Sequence, residues 1–277
     1  DNLSTGHREA VPDNVAFYEG DLRNPDDLEK VFSAHKIEVV LHFAAFIEVG
    51  ESMKKPLKYF DNNVVGMIVL LEAMERHGVD KLVFSSTAAV YGEPKRVPIE
   101  EGDAKAPTNP YGESKLMMEH IMEWTHRAVG IRSVTLRYFN VGGAFEDASI
   151  GEDHRPESHL IPLILQVPLG KREHISVFGN DYDTEDGSCV RDYLHVMDLA
   201  DAHMKAIDYL RAGNDSLVCN LGNGQGFSVL EMIEAARRVT GHPVPAVIAA
   251  RRPGDPARLV ASSQRAREVL GWVPQYG

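Results

Sequence analysis

Along the first half of the chain, short apolar runs alternate with longer amphipathic ones. Val15-Ala16-Phe17-Tyr18 has the density of a short strand. Asn24-Pro25-Asp26-Asp27 then supplies an N-cap, a proline at the first helical position and acids in the first turn, with Leu28, Val31 and Phe32 following at i, i+3 and i+4. Val39-Val40-Leu41-His42-Phe43 is almost continuously apolar, as a strand covered on both faces must be. A helix is predicted from about Pro56 to His77, with Gly78 as its left-handed cap. Lys81 to Phe84 predicts a strand that ends in Ser85-Ser86-Thr87. A proline- and charge-rich loop leads to a second long helix, Tyr111 to Ala128, with Gly130 near its end, and Ser133 to Tyr138 predicts another strand. Strands alternating with helices of this length predict an α/β fold, a doubly wound parallel sheet of Rossmann-like type.

From about Gly142 the texture changes to longer loops and shorter elements. This divides the chain into a sheet domain over 1–141 and a smaller ligand lobe over 142–277, with returns to the first domain near 190–193 and 217–221. The 277 residues carry 29 Lys and Arg against 41 Asp and Glu, a net charge of -12. A field of that sign repels nucleic acid and anionic lipid, and no apolar run approaches the roughly 18 residues of a membrane span. Two cysteines, Cys189 and Cys219, give no disulfide framework, so a cytoplasmic location is expected.

The chemistry concentrates in Tyr111-Gly112-Glu113-Ser114-Lys115. Four residues apart on a helix, the phenol and the ammonium share one face about 6 Å apart. A phenol is a poor base at neutral pH, and a nearby ammonium favours its ionised form. The spacing alone also fits a half-buried tyrosine beside a solvated lysine. Tyr91 and Lys95 repeat it, but Gly92 and Pro94 prevent a regular helical turn there. Three hydroxyls at the carboxyl end of a strand, Ser85 to Thr87, make the combination more specific, because open α/β sheets place their ligand crevice at that end.

With these residues the chain resembles the extended short-chain dehydrogenase/reductases, and within them the UDP-glucose 4-epimerases. Asp1-Asn2-Leu3-Ser4, Glu19 to Arg23, His42 to Ala45, Val49 to Ser52, Asp61 to Asn63, Phe84 to Thr87, Tyr111-x-x-x-Lys115 and Leu136 to Asn140 carry the likeness. Phe178 to Tyr182, Val190 to Val196 and Arg251 to Pro256 continue it, and the last two groups are its most specific part.

The resemblance implies NAD-dependent C4 epimerisation of a UDP-hexose in galactose metabolism, through a 4-keto sugar, with NAD as a hydride store. It implies that Tyr111 is the base, that Lys115 lowers its pKa and holds the nicotinamide ribose, and that Thr87 binds the reacting oxygen. Asp1, with Asn2 beside it, would bind the adenosine ribose, where a carboxylate favours NAD over NADP. Asp21 and Leu22 would line the adenine; Phe43, Ala44, Ala45 and Asn62 would approach the cofactor, and Phe139 would pack near the nicotinamide. Asn140, Leu160, Val177 and Phe178 match substrate positions. Arg191 and Arg252 match the pair that grips a pyrophosphate, and Asp255 matches a ribose-binding acid.

Ile47 replaces a lysine found in some members, His159 stands where an asparagine is expected, and Leu259 occupies the position that limits the substituent at C2. A related dehydratase would need an acid just after the strand-end hydroxyl, where this chain has Ala88 and Ala89. A silent sugar-nucleotide binder would have no use for Tyr111 and Lys115. No metal is expected: Asp153-His154 and His159 lack the spacing of a known metal motif and read as polar loop residues. The glycine-rich turn that cradles the NAD pyrophosphate in the family would lie before Asp1, so these residues alone are expected to hold NAD weakly. Surplus apolar residues on the two long helices, Met117, Met118, Ile121, Met122 and Trp124 among them, predict a homodimer.

Overall fold

Strands form where the apolar runs are most continuous. The computed structural model describes residues 1–252 and 255–276; Pro253 and Gly254 of the Arg251 to Pro256 motif, and Gly277, lie outside the described residues. The strands are β1 (Val40–His42), β2 (Lys81–Thr87), β3 (Arg132–Tyr138), β4 (Asn140–Gly142) and β5 (Ile175–Phe178). They continue with β6 (Val190–His195), β7 (Leu217–Leu221), β8 (Gly226–Ser228), β9 (Ala246–Ala249) and β10 (Arg258–Leu259). The helices are α1 (Pro25–Ala34), α2 (Val49–Ser52), α3 (Pro56–Tyr59), α4 (Gly66–Arg76) and α5 (Pro110–Val129). After them come α6 (Leu160–Gln166), α7 (Val196–Arg211), α8 (Val229–Thr240) and α9 (Gln264–Leu270).

The main sheet has the order β1-β2-β3-β7, parallel throughout. Alternation along β2 sends Leu82 and Phe84 to one face, against Leu28, Phe32, Met74 and Met118 of α1, α4 and α5. Val83 goes to the other face, with Val134, Leu136, Leu199, Leu210 and Trp272, where α7 and α9 cover the sheet. Burial on both faces is what the unbroken apolar runs of β2 and β3 require.

One expectation changes. Val15 to Tyr18 forms no strand, because a strand exists only through a ladder and no described strand pairs with this segment. It touches the chain start instead: the Asp1 amino group donates to the Tyr18 carbonyl at 3.2 Å, and Gly20 N–H to the Asp1 carbonyl at 3.0 Å. The segment 190–193 lies in β6, between β4 and β10 with β8 antiparallel to it, and Tyr193 pairs with Asn140 of the 1–141 stretch; 217–221 joins the main sheet as β7.

The predicted helix over 56–77 is realised as α3 and α4 joined by a π-helical turn at Phe60–Val65, followed by Gly78 at φ +67°. The wide turn has a side-chain cause. Asn63 is buried, and its amide spans the Phe46 backbone, accepting from Phe46 N–H at 2.9 Å and donating to Phe46 C=O at 3.1 Å. It also donates to Ser114 Oγ at 3.0 Å, which joins the turn to α5. π-turns of this kind gather at functional sites. In the second half, β5 and β9 pair in parallel beside α6 and α8 around Ile164, Val177, Ile233 and Val244. No helix of the described residues is long and apolar enough to cross a membrane.

Candidate active site

Thr87 ends β2 and caps the short turn that follows, its Oγ1 accepting from Ala89 N–H at 3.1 Å. Asn109 caps α5 by accepting from Gly112 N–H at 2.8 Å, and Pro110 takes the first helical position. A Cβ at position 112 would stand 2.7 Å from the Ala89 carbonyl oxygen, so glycine lets the first turn of α5 lie directly on the turn after Thr87. That approach sets the Tyr111 phenol beside the Thr87 hydroxyl.

Lys115, one turn further on, is 3% exposed. Its Nζ donates to the Ser85 carbonyl at 2.8 Å and lies 4.8 Å from the centre of the Phe84 ring. Loss of hydration draws its pKa down to about 7, with Glu119 pulling weakly the other way. Burial pushes the Tyr111 phenol up, and the Thr87 hydroxyl opposes that shift. The two side chains stand one turn apart on α5, the phenol by the Thr87 hydroxyl and the ammonium on the Ser85 carbonyl.

The neighbouring hydroxyls serve the frame. Ser85 Oγ lies 3.1 Å from His203 Nε2 on one face of β2, and Ser86 Oγ donates to Glu119 Oε1 at 2.6 Å on the other. Glu119 is held by the fork of Arg137, whose Nη1 also donates to Tyr91 Oη at 2.8 Å; Tyr91 Oη donates to Asn220 Oδ1 at 2.6 Å. His42 stacks on Phe84 at 5.8 Å, and burial with the nearby Lys115 draws its pKa down to about 3.

On the cofactor side, Asp1, Asn2 and Asp21 come together. Asp1 Oδ1 accepts from Leu3 N–H at 2.6 Å, and Asn2 Nδ2 donates to Asp21 Oδ2 at 3.0 Å. Arg23 grips Asp21 at 2.9 and 2.8 Å and holds its carboxyl well below the usual range. Leu22 packs under α4 against Gly66. Phe43 is exposed, its ring 4.7 Å from that of His203, and Ala44 and Ala45 continue the same loop. Asn62 donates to Asn63 Oδ1 at 2.9 Å. Phe139 packs against Val90, Tyr91, Ile99 and Leu116 beside Leu259. The donor set fits a dinucleotide: Asp1 offers an exposed carboxylate that could accept from a ribose hydroxyl, and Lys115 a buried ammonium with one hydrogen bond among the described residues.

Substrate-side residues are more dispersed. Asn140 opens β4, and Leu160 opens α6. Val177 points into the core with Ile164 and Ile233, so its side chain cannot meet a ligand; alternation on β5 turns Phe178 outward. Arg252 lies over Phe178 at 4.9 Å, and Asp255 joins the two arginines, 2.9 Å from Arg252 Nε and 3.5 Å from Arg191 Nη2. Ile47 is exposed. His159 directly precedes α6 and turns towards Glu152 and Glu157.

Residue-type reasoning missed Asn63 and the Glu119–Arg137 pair. Their signals, an asparagine inside an apolar helix and opposite charges at strand and helix positions that read as buried, acquire meaning only once the partners are known.

The family model described as GDP-mannose 4,6 dehydratase matches residues 1–277. A UDP-glucose 4-epimerase of Lacticaseibacillus casei is 59% identical over 276 residues, which is 100% of this chain and 83% of that protein. The structure of UDP-glucose 4-epimerase from Brucella ovis in complex with NAD superposes with a TM-score of 0.97 at 44% identity, covering 100% of this chain and 85% of that one. That from Bifidobacterium longum in complex with NAD+ and UDP gives 0.94 at 42%, with the same coverage.

Proposed function

The chain belongs to the UDP-glucose 4-epimerases within the extended short-chain dehydrogenase/reductases, and from that membership we propose that it inverts C4 of a UDP-hexose, interconverting UDP-glucose and UDP-galactose. The observation that carries this reading is the seating of Tyr111 and Lys115 of α5 against the Thr87 end of β2. NAD, when bound, supplies a hydride acceptor that gives the hydride back, so there is no net oxidation.

The chain's own residues do the rest. Thr87 Oγ1 already accepts from Ala89 N–H, which leaves its O–H to donate to the substrate's 4-oxygen. Tyr111 Oη takes the proton of that hydroxyl and later returns it. A phenol pushed up by burial keeps its proton at neutral pH and can accept another only once positive charge beside it favours the phenolate, and Lys115 has two N–H groups left for the phenol and a cofactor ribose. Asp1, Asn2, Asp21, Leu22, the Phe43 to Ala45 loop, Asn62 and Phe139 line the dinucleotide. Arg191 and Arg252 turn from Asp255 to the pyrophosphate, which frees that carboxylate for a ribose hydroxyl. Leu259, packed beside Phe139, bounds the space at C2. Ala88 and Ala89 follow Thr87 without an acid, which disfavours dehydration despite the description of the matching family model.

The assembly is a homodimer through the outer faces of α4 and α5, where Ile68, Met117 and Trp124 are exposed. Its compartment is the cytosol, in keeping with two buried free cysteines.

The test is conversion of UDP-galactose to UDP-glucose by the purified protein supplied with NAD. Tyr111→Phe should lower kcat by about 10²–10⁴-fold and leave UDP-sugar affinity within about threefold. Absence of conversion by the unaltered protein, or an equal loss of binding in the variant, would overturn the assignment.

A further inference from the structure

The loop between β4 and α6 brings Glu152, His154, Glu157 and His159 together, with ligand atoms from all four within 4.8 Å of one another. His159 Nδ1 lies 2.7 Å from Glu152 Oε1 and 3.0 Å from Glu157 Oε1. His154 Nδ1 lies 3.1 Å from Glu152 Oε1 and 3.7 Å from Glu157 Oε2. Four atoms about 2.1 Å from a tetrahedral centre stand about 3.4 Å apart, so side-chain adjustments of about 1 Å would close this set on one ion.

The Glu157 side chain is only 8% exposed, and its Oε1 accepts from the Ser158 and His159 backbone N–H groups at 2.7 Å beside the His159 ring. One further observation favours an ion over a plain hydrogen-bonded cluster. His154 Nδ1 is shut off from solvent and makes no hydrogen bond among the described residues, its approach to Glu152 being outside hydrogen-bonding geometry. Ion binding would release the His159 ring proton that Glu152 and Glu157 favour in the metal-free loop, leaving two carboxylates whose charge a divalent cation neutralises.

We propose that Glu152, His154, Glu157 and His159 form a binding site for a divalent transition metal with two nitrogen and two oxygen ligands, Zn2+ being the ion whose geometry it suits best. The site staples the loop to its surroundings. Asp153 C=O is 2.8 Å from His7 Nε2, Ser158 Oγ donates to Glu48 Oε1 at 2.9 Å, and His159 leads into α6. Its role is to fix the loop where the two halves of the chain meet, without entering the reaction.

The test is uptake of Zn2+ by the untagged, chelator-stripped protein, followed by calorimetric titration and thermal melting. Expected are one Zn2+ per chain, a rise in melting temperature that chelator reverses, and at least tenfold weaker binding of Ca2+ and Mg2+. His154→Ala and, as a milder change, His154→Gln should weaken Zn2+ binding by about 100-fold while melting without metal like the unaltered chain. Substoichiometric uptake, Zn2+ affinity unchanged in both variants, or equal affinity for Ca2+ would overturn the proposal. None of these readouts depends on epimerase activity.

Discussion

An ammonium shut inside a protein loses hydration that one carbonyl and one aromatic face replace only in part, and Lys115 is drawn down to about 7 for that reason. The consequence for stability has a definite sign. Below about 7 both folded and unfolded chains hold the proton, and the cost of burying the charge is fully present. Between about 7 and the ordinary lysine value of 10.5, the unfolded chain keeps a proton that the folded chain has released, so stability rises with pH. Each pH unit in that window is worth up to about 1.4 kcal/mol. Lys115→Met should therefore be stabilised relative to the unaltered protein at pH 7, and urea unfolding at pH 9 should find that advantage smaller by about 2 kcal/mol. A constant difference would mean that Lys115 stays charged. Burial acts on Tyr111 in the same way, penalising its charged form and pushing the phenol up.

Helix α5 links the catalytic face to the frame. Its start is set by the Asn109 cap and by Gly112, and its end by Gly130 at φ +79°. Midway, Glu119 meets Arg137 of β3, at side-chain exposures of 8% and 3%. A pair so deep adds little net stability, but breaking it strands a charge. Arg137→Met should cost about 3–5 kcal/mol in denaturant unfolding, and Glu119→Leu added to it should restore most of that loss. Failure of the double variant to recover would mean that Tyr91 and Asn220, which share the Arg137 network, carry the stability. The limits of α5 are readable in the sequence because caps and helix-stopping glycines act within a few residues. The π-turn at Phe60–Val65 is not, because its cause is the bond of Asn63 to a backbone 17 residues away.

At the scale of the molecule, α4 and α5 cover one face of the sheet and leave an apolar outer surface on which Trp124 is 66% and Met117 40% exposed. With a homodimer across that surface, Trp124→Glu combined with Met117→Glu should shift sedimentation at micromolar concentration from dimer to monomer. An unchanged distribution would place the contact elsewhere. The sequence by itself determined the α/β class, the placing of the strands over 81–87 and 132–138, and the Tyr-x-x-x-Lys helix beside a hydroxyl-ended strand, since these follow from local geometry and from which faces must leave water. Tertiary structure alone decided that Val15 to Tyr18 lies outside the sheet, since a strand needs a partner as much as a pattern. It alone turned Val177 inward, gave the Lys115 ammonium to the Ser85 carbonyl, and folded two glutamates and two histidines of one loop around a common point. Charge, burial and ligation are properties of what surrounds a side chain, and that surrounding comes from residues far away in the chain.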